Sequence, residues 1–189
     1  ALSPLVGALA AGNRAMVKPS EFTPRTSELL AEMIAKKFTA DEVAVVQGGV
    51  EVGAAFAALP FDHLFFTGST NVGRKVMAAA AANLTPVTLE LGGKSPAIIA
   101  PDANLDVAVT SIVRGKLFNA GQTCVAPDYV LLPQAQLDAF VEKALAVAVR
   151  FYPDLADNPD YSSIVNQAQF DRLQGMIRDA ETQGARVLT

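Results

Sequence analysis

His63-Leu64-Phe65-Phe66-Thr67-Gly68-Ser69-Thr70-Asn71-Val72-Gly73 is the stretch on which the fold turns. His63 to Thr67 is apolar enough for a buried strand, and the residues from Val72 to Leu84 carry a helical pattern. Between them lie small residues, Gly68, Ser69, Thr70, Asn71, Val72 and Gly73. Small side chains at a strand-to-helix turn let backbone N–H groups and a helix N-terminus approach a pyrophosphate. The run departs from the G-x-G-x-x-G pattern, because Thr70 holds its middle position, and an ordinary capped strand–helix turn has the same look.

The same alternation extends outward on both sides. Leu2 to Ala11 is helix-like, and Arg14 to Lys18 forms a short strand after the turn Gly12-Asn13. Thr23 and Pro24 supply an N-cap and an N1 proline for a helix with Leu29, Leu30, Met33, Ile34 and Phe38 on its apolar face. Val43 to Val46 is a strand stopped by Gly48-Gly49, Val52 to Leu59 a helix, and Val87 to Leu91 a strand. Strand and helix in strict alternation imply parallel strands joined by helical crossovers, an α/β fold with a parallel, doubly wound nucleotide-binding sheet.

After Gly92-Gly93 a second α/β region begins, so residues 1–91 and 92–189 are expected to be separate domains. Ala97 to Ala100 is a strand, and Asn104 or Asp102 caps a helix carrying Leu105, Ala108, Val109, Ile112 and Val113. Tyr129 to Leu132 is a strand, followed by a helix with Leu137, Phe140, Val141 and Leu145 inward. A Pro- and Asp-rich loop from Tyr152 to Tyr161 precedes a last helix, with Phe170, Leu173, Met176, Ile177 and Ala180 inward. The end, Arg186 to Thr189, has the pattern of a strand beginning. A start without Met, already inside a helical pattern, reads with that end as an internal fragment, both of whose domains are truncated.

Composition narrows the function. Of 189 residues 51% are hydrophobic and 18% charged, ordinary for a folded globular protein. A net charge of -4 without a basic cluster argues against nucleic acid as a partner. No apolar run reaches the length of a membrane span. A single cysteine excludes an internal disulfide and suits a reducing, cytoplasmic setting.

That cysteine, Cys124, lies in Phe118-Asn119-Ala120-Gly121-Gln122-Thr123-Cys124-Val125-Ala126-Pro127, between a helical and a strand-like run. A thiolate on such a loop attacks carbonyl carbon well, whereas many free cysteines are inert core residues. Lys18-Pro19-Ser20-Glu21 ends the first strand; Glu21 can accept ribose hydroxyls with Lys18 alongside, or the run can be a solvated turn. Glu90 lies in Leu89-Glu90-Leu91-Gly92-Gly93-Lys94-Ser95. Alternation points Val87, Leu89 and Leu91 inward and leaves Glu90 on a solvated face, while a carboxylate shielded by those neighbours would serve as a general base. Gly93-Lys94-Ser95 looks like the end of a phosphate-binding loop, but Thr88 stands where its first glycine belongs. His63, the one histidine, has no partners at metal-ligand spacing.

Taken in order, Val17-Lys18-Pro19-Ser20-Glu21-Phe22-Thr23-Pro24, Phe66 to Gly73, Leu89 to Pro96 and Gly121-Gln122-Thr123-Cys124 resemble the aldehyde dehydrogenase superfamily. Leu84-Thr85-Pro86-Val87-Thr88, Val125 to Val130 and Phe151-Tyr152-Pro153 are most similar to its class 3 branch, which includes the bacterial coniferyl aldehyde enzymes. The resemblance implies an NAD(P)-binding domain over 1–91 and a catalytic domain over 92–189. It implies Cys124 as nucleophile toward an aromatic or medium- to long-chain aldehyde, and Glu90 as the base that activates water. Lys18 and Glu21 would sit on the adenosine ribose, and Gly68 to Gly73, with Ser69 among the contacts, at the pyrophosphate. NAD is the implied cofactor, with NADP possible, no metal is implied, and the parent protein would be a homodimer. The family's oxyanion-hole asparagine is expected before Ala1, and its Glu-x-Phe-Gly segment after Thr189. Two other readings stay open, a non-catalytic binding or structural fragment and a cysteine esterase or acyl-transfer activity.

Overall fold

The computed structural model describes residues 2–188. The chain packs into two compact units, Ala1–Leu91 and Gly92–Thr189. In the first, helix α1 (Leu2–Ala10) leads into strand β1 (Ala15–Val17), helix α2 (Pro24–Ala35) and strand β2 (Val43–Val45). Helix α3 (Val50–Ala57), strand β3 (Leu64–Gly68), helix α4 (Thr70–Ala81) and strand β4 (Val87–Leu91) follow. β1 pairs with β2 in parallel, Ala15 beside Val43 and Val17 beside Val45. β3 pairs with β4 in parallel, from Leu64 beside Val87 to Gly68 beside Leu91. Each pair is therefore a β–α–β unit, and among the described residues the two ladders are separate two-stranded sheets.

Each ladder has its own core. Leu5, Ile34 and Val43 are buried together, with Leu30, Phe38 and Val45 packed against them. The second cluster is Ala57, Leu64, Val76 and Ala80, flanked by Phe56, Phe61 and Phe66. Fully burying a residue such as Leu64 stabilises by about 1.5–3 kcal/mol. Strand β3 alternates, with Leu64 buried, Phe66 and Gly68 half-buried, and Phe65 and Thr67 exposed. The covered face meets α4 at Gly73, where a Cβ would stand 2.9 Å from Leu91 Cδ2 and 3.8 Å from Leu89 Cδ2. Glycine at this point lets the first turn of the helix lie close on β4.

The second unit contains strand β5 (Ser95–Ile98), helix α5 (Leu105–Leu117), strand β6 (Pro127–Leu131), helix α6 (Leu137–Phe151) and helix α7 (Gln167–Thr182). β5 and β6 are parallel, with an irregularity between Ser95 and Pro96. Val109, Val113 and Val147 form the core between α5 and α6, with Phe140, Ala144 and Ala148 against it. Lys143 reaches Asp106 across these two helices, and that hydrogen bond, then the carboxylate's charge, raises the lysine pKa. Tyr152 and Tyr161 stack edge-on, 4.8 Å between ring centres, across the Pro- and Asp-rich loop. Burial, then Tyr152, pushes the Tyr161 hydroxyl pKa up.

Several expectations need correction. Leu29 and Met33 are exposed, because the stripe Leu30–Ile34–Phe38 faces the core and the 29/33 stripe is rotated away from it. Thr23 occupies the N-cap of α2 without a side-chain hydrogen bond to it; its carbonyl instead accepts from Ser27 Oγ at 2.9 Å. Helix α4 opens at Thr70 because Ser69 caps it, and it ends before Leu84, which adopts φ 56° and is 89% exposed. Between Asn104 and Asp102, Asn104 is the cap of α5, accepting from Val107 N–H at 3.1 Å. In α6 Leu137 and Leu145 are exposed and the inward stripe passes through Phe140, Ala144, Val147 and Ala148. Phe170, Met176 and Ile177 of α7 are also exposed, since no described element covers that stripe. Arg186–Leu188 have no regular structure, and Thr189 lies outside the described residues.

Among the described residues, three two-stranded ladders leave unpaired N–H and C=O groups along their edges, beside exposed Phe65, Ile98 and Tyr129. Isolated two-stranded sheets are marginal, and open edges recruit other strands. The isolated 189-residue chain should therefore self-associate at micromolar concentration. Sedimentation velocity checks this, and a monomer that melts in one cooperative step would contradict it.

Candidate functional site

Parallel pairing fixes where polar groups can gather, because the loops after neighbouring strands emerge at the same edge. At the carboxyl ends of β1 and β2, Lys18 follows Val17, and Gln47 and Gly48 follow shortly after Val45. Pro19, Ser20, Glu21, Ser27, Gln47 and Gly48 line one shallow cleft there. Lys18 Nζ donates to Glu21 Oε2 and to Pro19 O, each at 3.1 Å. Gly53 leaves room for the lysine stem, since a Cβ there would lie 3.3 Å from Lys18 Cε. A hydrogen bond from its own backbone, then Lys18, holds the Glu21 carboxyl below the usual carboxylate range. A depressed folded pKa adds stability above the unfolded value near 4.3, which is lost as pH falls through the lower folded value.

At the same edge of β3 and β4, Thr67 stands beside Glu90, and Gly68 beside Leu91. Ser69 caps α4 by accepting from Val72 N–H at 3.3 Å. Gly68, Ser69, Thr70, Asn71, Val72 and Gly73 therefore form the turn and first helical residues next to the strand end that carries Glu90. Asn71 Oδ1 accepts from Arg74 at 3.4 Å, which ties one polar side chain of this turn to its own helix. Glu90 is exposed on the face opposite Leu89 and Leu91, so the expected shielding by its neighbours is not present in this unit. His63 donates to or accepts from Thr88 Oγ1 at 2.9 Å and so links the starts of the two strands. Among the described residues no cluster of three His, Cys, Asp or Glu side chains has metal-binding spacing.

Cys124 belongs to the second unit, on the loop before β6, and it is exposed rather than packed in a core. Asn119 (φ 52°, ψ 37°), Ala120 (φ 53°, ψ 31°) and Gly121 (φ 73°) are three successive left-handed residues. Such a conformation costs roughly 1–2 kcal/mol at a non-glycine residue. Glycine at 121 also permits close approach to α5, for a Cβ would lie 3.1 Å from Lys116 O. On the other side, a Cβ on Gly93 would stand 2.6 Å from Cys124 O, so glycine is required where the chain passes the cysteine backbone. Asp128, just past the loop, pairs with Lys94 at 3.2 Å and Lys116 at 3.9 Å.

Two groups escaped the sequence reading. Gln47 and Gly48 were legible in principle, since parallel β1 and β2 must bring their following residues together. The side-chain bonds of Gln122 to Ser163 and Val165 had no signal, because they join positions more than forty apart.

The aldehyde dehydrogenase family profile matches residues 1–189. Coniferyl aldehyde dehydrogenase of Pseudomonas sp. (strain HR199) is 56% identical over 188 residues, covering 100% of this chain and 39% of that protein. The substrate-bound structure of Staphylococcus aureus AldH superposes with a TM-score of 0.89 at 44% identity, covering 95% of this chain and 39% of that one. A mutant aldehyde dehydrogenase C from Pseudomonas syringae, complexed with NAD+ and octanal, gives a TM-score of 0.84 at 35% identity, covering 95% and 38%. The chain spans about two fifths of the length of these relatives. On sequence profile and fold together, this chain belongs to the aldehyde dehydrogenase family.

Proposed function

We propose that this chain is the part of an NAD(P)-dependent aldehyde dehydrogenase that supplies the nucleophile, the hydrolytic base and much of the dinucleotide site. The observation that carries the reading is Cys124, exposed on a loop whose backbone is constrained on both sides. Residues 1–91 act as the NAD(P)-binding domain and 92–189 as the catalytic domain. The substrate is an aromatic aldehyde such as coniferyl aldehyde, or a medium- to long-chain aliphatic one. Names of relatives support the first class, and the octanal bound to a structural neighbour the second. The family resemblance also carries a cytoplasmic homodimer into this proposal.

The residues present fit a dinucleotide. The cleft at Pro19–Glu21 and Gln47–Gly48 offers a carboxylate for ribose hydroxyls with Lys18 beside it. In the turn Ser69 to Gly73 at the N-terminus of α4, Ser69 holds the N–H groups of Val72 and Gly73, which leaves those of the earlier residues for a pyrophosphate. Lys18, Glu21 and the start of α4 would hold the dinucleotide, which would supply the hydride acceptor for the oxidation. The Cys124 thiolate adds to the aldehyde carbon, and the carbonyl oxygen becomes the alkoxide of a thiohemiacetal. Loss of hydride from that carbon restores the C=O bond and leaves a thioester on Cys124. Glu90 then takes a proton from water, whose oxygen attacks the thioester carbon, releasing the carboxylic acid and the thiolate. Splitting the oxidation this way replaces one hard step by easier ones. A cofactor-free esterase would have no use for the cleft and the capped helix together, which favours the dehydrogenase.

Rapid mixing of a full-length enzyme carrying this segment with NAD and octanal tests the two catalytic assignments. Glu90→Gln should give a burst of NADH close to one per active site, then a slow steady state about 100-fold or more below the parent. Cys124→Ser should bind NAD yet give no burst. Parent-like turnover in either variant removes that residue from its role.

Glu21 should repel the 2′-phosphate of NADP, with Lys18 softening that preference, so NAD is preferred and NADP usable. Glu21→Gln should raise the NADP/NAD ratio of kcat/KM by about 10-fold, roughly the effect of one like-charge contact worth 1.4 kcal/mol. An unchanged ratio would remove Glu21 from the ribose site.

A further inference from the structure

The loop that carries Cys124 is tied at its amino end to a distant segment through the Gln122 side chain. Gln122 Nε2 donates to Asn119 O at 3.0 Å and to Ser163 O at 3.1 Å. Its Oε1 accepts from Val165 N–H at 2.9 Å. The backbone is engaged as well: Gln122 N–H donates to Asn119 O at 3.0 Å, and Gln122 O accepts from Asn119 Nδ2 at 3.3 Å. The side-chain amides of Asn119 and Gln122 close the left-handed turn, and that of Gln122 also fastens it to a segment some forty residues later. An amide of this length presents donor and acceptor together; ionised glutamate lacks the donor, and methionine has no donor and only a weak sulfur acceptor.

At the other end, Ala126 is buried and its N–H donates to Thr123 O at 3.2 Å. Thr123, Cys124 and Val125 therefore lie between two fixed points, the Gln122 tie on one side and the start of β6 on the other. The left-handed residues Asn119 and Ala120 are intrinsically disfavoured, so the turn needs an external tie to persist. We propose that Gln122 is a positioning residue for the Cys124 thiol, bracing the turn Asn119–Gly121 against Ser163–Val165. The inference rests on the reading of Cys124 as the nucleophile. It gives the Ser163–Val165 segment a supporting role through its backbone alone, the Ser163 carbonyl and the Val165 N–H.

The test uses a full-length enzyme carrying this segment, with Gln122→Met to remove the amide at nearly constant length. Val165→Pro is the second variant, removing the N–H that donates to Oε1 while leaving Gln122 in place. Two readouts are compared with the parent, hydrogen exchange across residues 163–166 and the first-turnover rate of NADH formation from octanal at saturating NAD. Faster exchange in the glutamine variant, a first turnover slowed by about 10- to 100-fold in both, and NAD affinity within about two-fold would support the brace, since small misplacements of a nucleophile carry penalties of that order. A merely structural role would leave the first-turnover rate per folded enzyme unchanged. That result, or unchanged exchange in Gln122→Met, overturns the inference. Turnover by Cys124→Ser would instead overturn the nucleophile reading on which it rests, so the two failures are told apart.

Discussion

Parallel pairing across a helical crossover is the constraint from which the first unit follows. A strand that runs alongside its predecessor must be reached by a helix, and the residues after both strands then emerge at one edge. In the β3–β4 pair this brings the turn of Gly68 and Ser69 next to the strand end that carries Glu90 and Leu91. In the β1–β2 pair it brings Lys18 and Glu21 to the cleft shared with Gln47 and Gly48. At Gly73 helix α4 lies close on β4, and a Cβ there would make the end of the Leu91 side chain turn aside. Groups far apart in sequence are thereby gathered by hydrogen-bonded ladders rather than by side-chain attraction.

The second unit places an exposed cysteine, the proposed nucleophile Cys124, on irregular backbone. Here the ladder β5–β6 fixes the end of the loop, and the left-handed turn at Asn119, Ala120 and Gly121 fixes its beginning. Two glycines make room for the arrangement, Gly93 against the Cys124 carbonyl and Gly121 against the end of α5. The ion pairs of Asp128 with Lys94 and Lys116 are exposed and contribute little to stability by themselves. Their value is that they join the strand after the cysteine to the elements on either side.

Much of this was legible in the residues. The alternation around His63 to Val72 marked strand, turn and helix, and the helix-breaking glycines marked the ends of β2 and β4. Helix starts were less legible, because Ser69 and Gly49 open their helices earlier than the apolar pattern does. Apolar periodicity overstated the inward faces of α2, α6 and α7, since it reports every stripe that could be buried and not which one meets a neighbour. For the site, the residue types at Lys18, Glu21, Glu90 and Cys124 carried their chemistry openly. Gln122 did not, because a glutamine in a loop has no preferred partner until the fold supplies one. The solvent exposure of Glu90 was foreseen by strand alternation, while the shielding suited to a base was not found in this unit.

Besides Cys124, the proposed function requires a dinucleotide site at the carboxyl edge of the two ladders in residues 1–91. The most direct measurement is a crystal structure of a full-length enzyme carrying this segment with NAD bound. Pyrophosphate oxygens within about 3.2 Å of backbone N–H groups in Ser69–Gly73, and a ribose hydroxyl on the Glu21 carboxylate, are the predicted result. A dinucleotide bound elsewhere, with Ser69–Gly73 and Glu21 untouched, would contradict it.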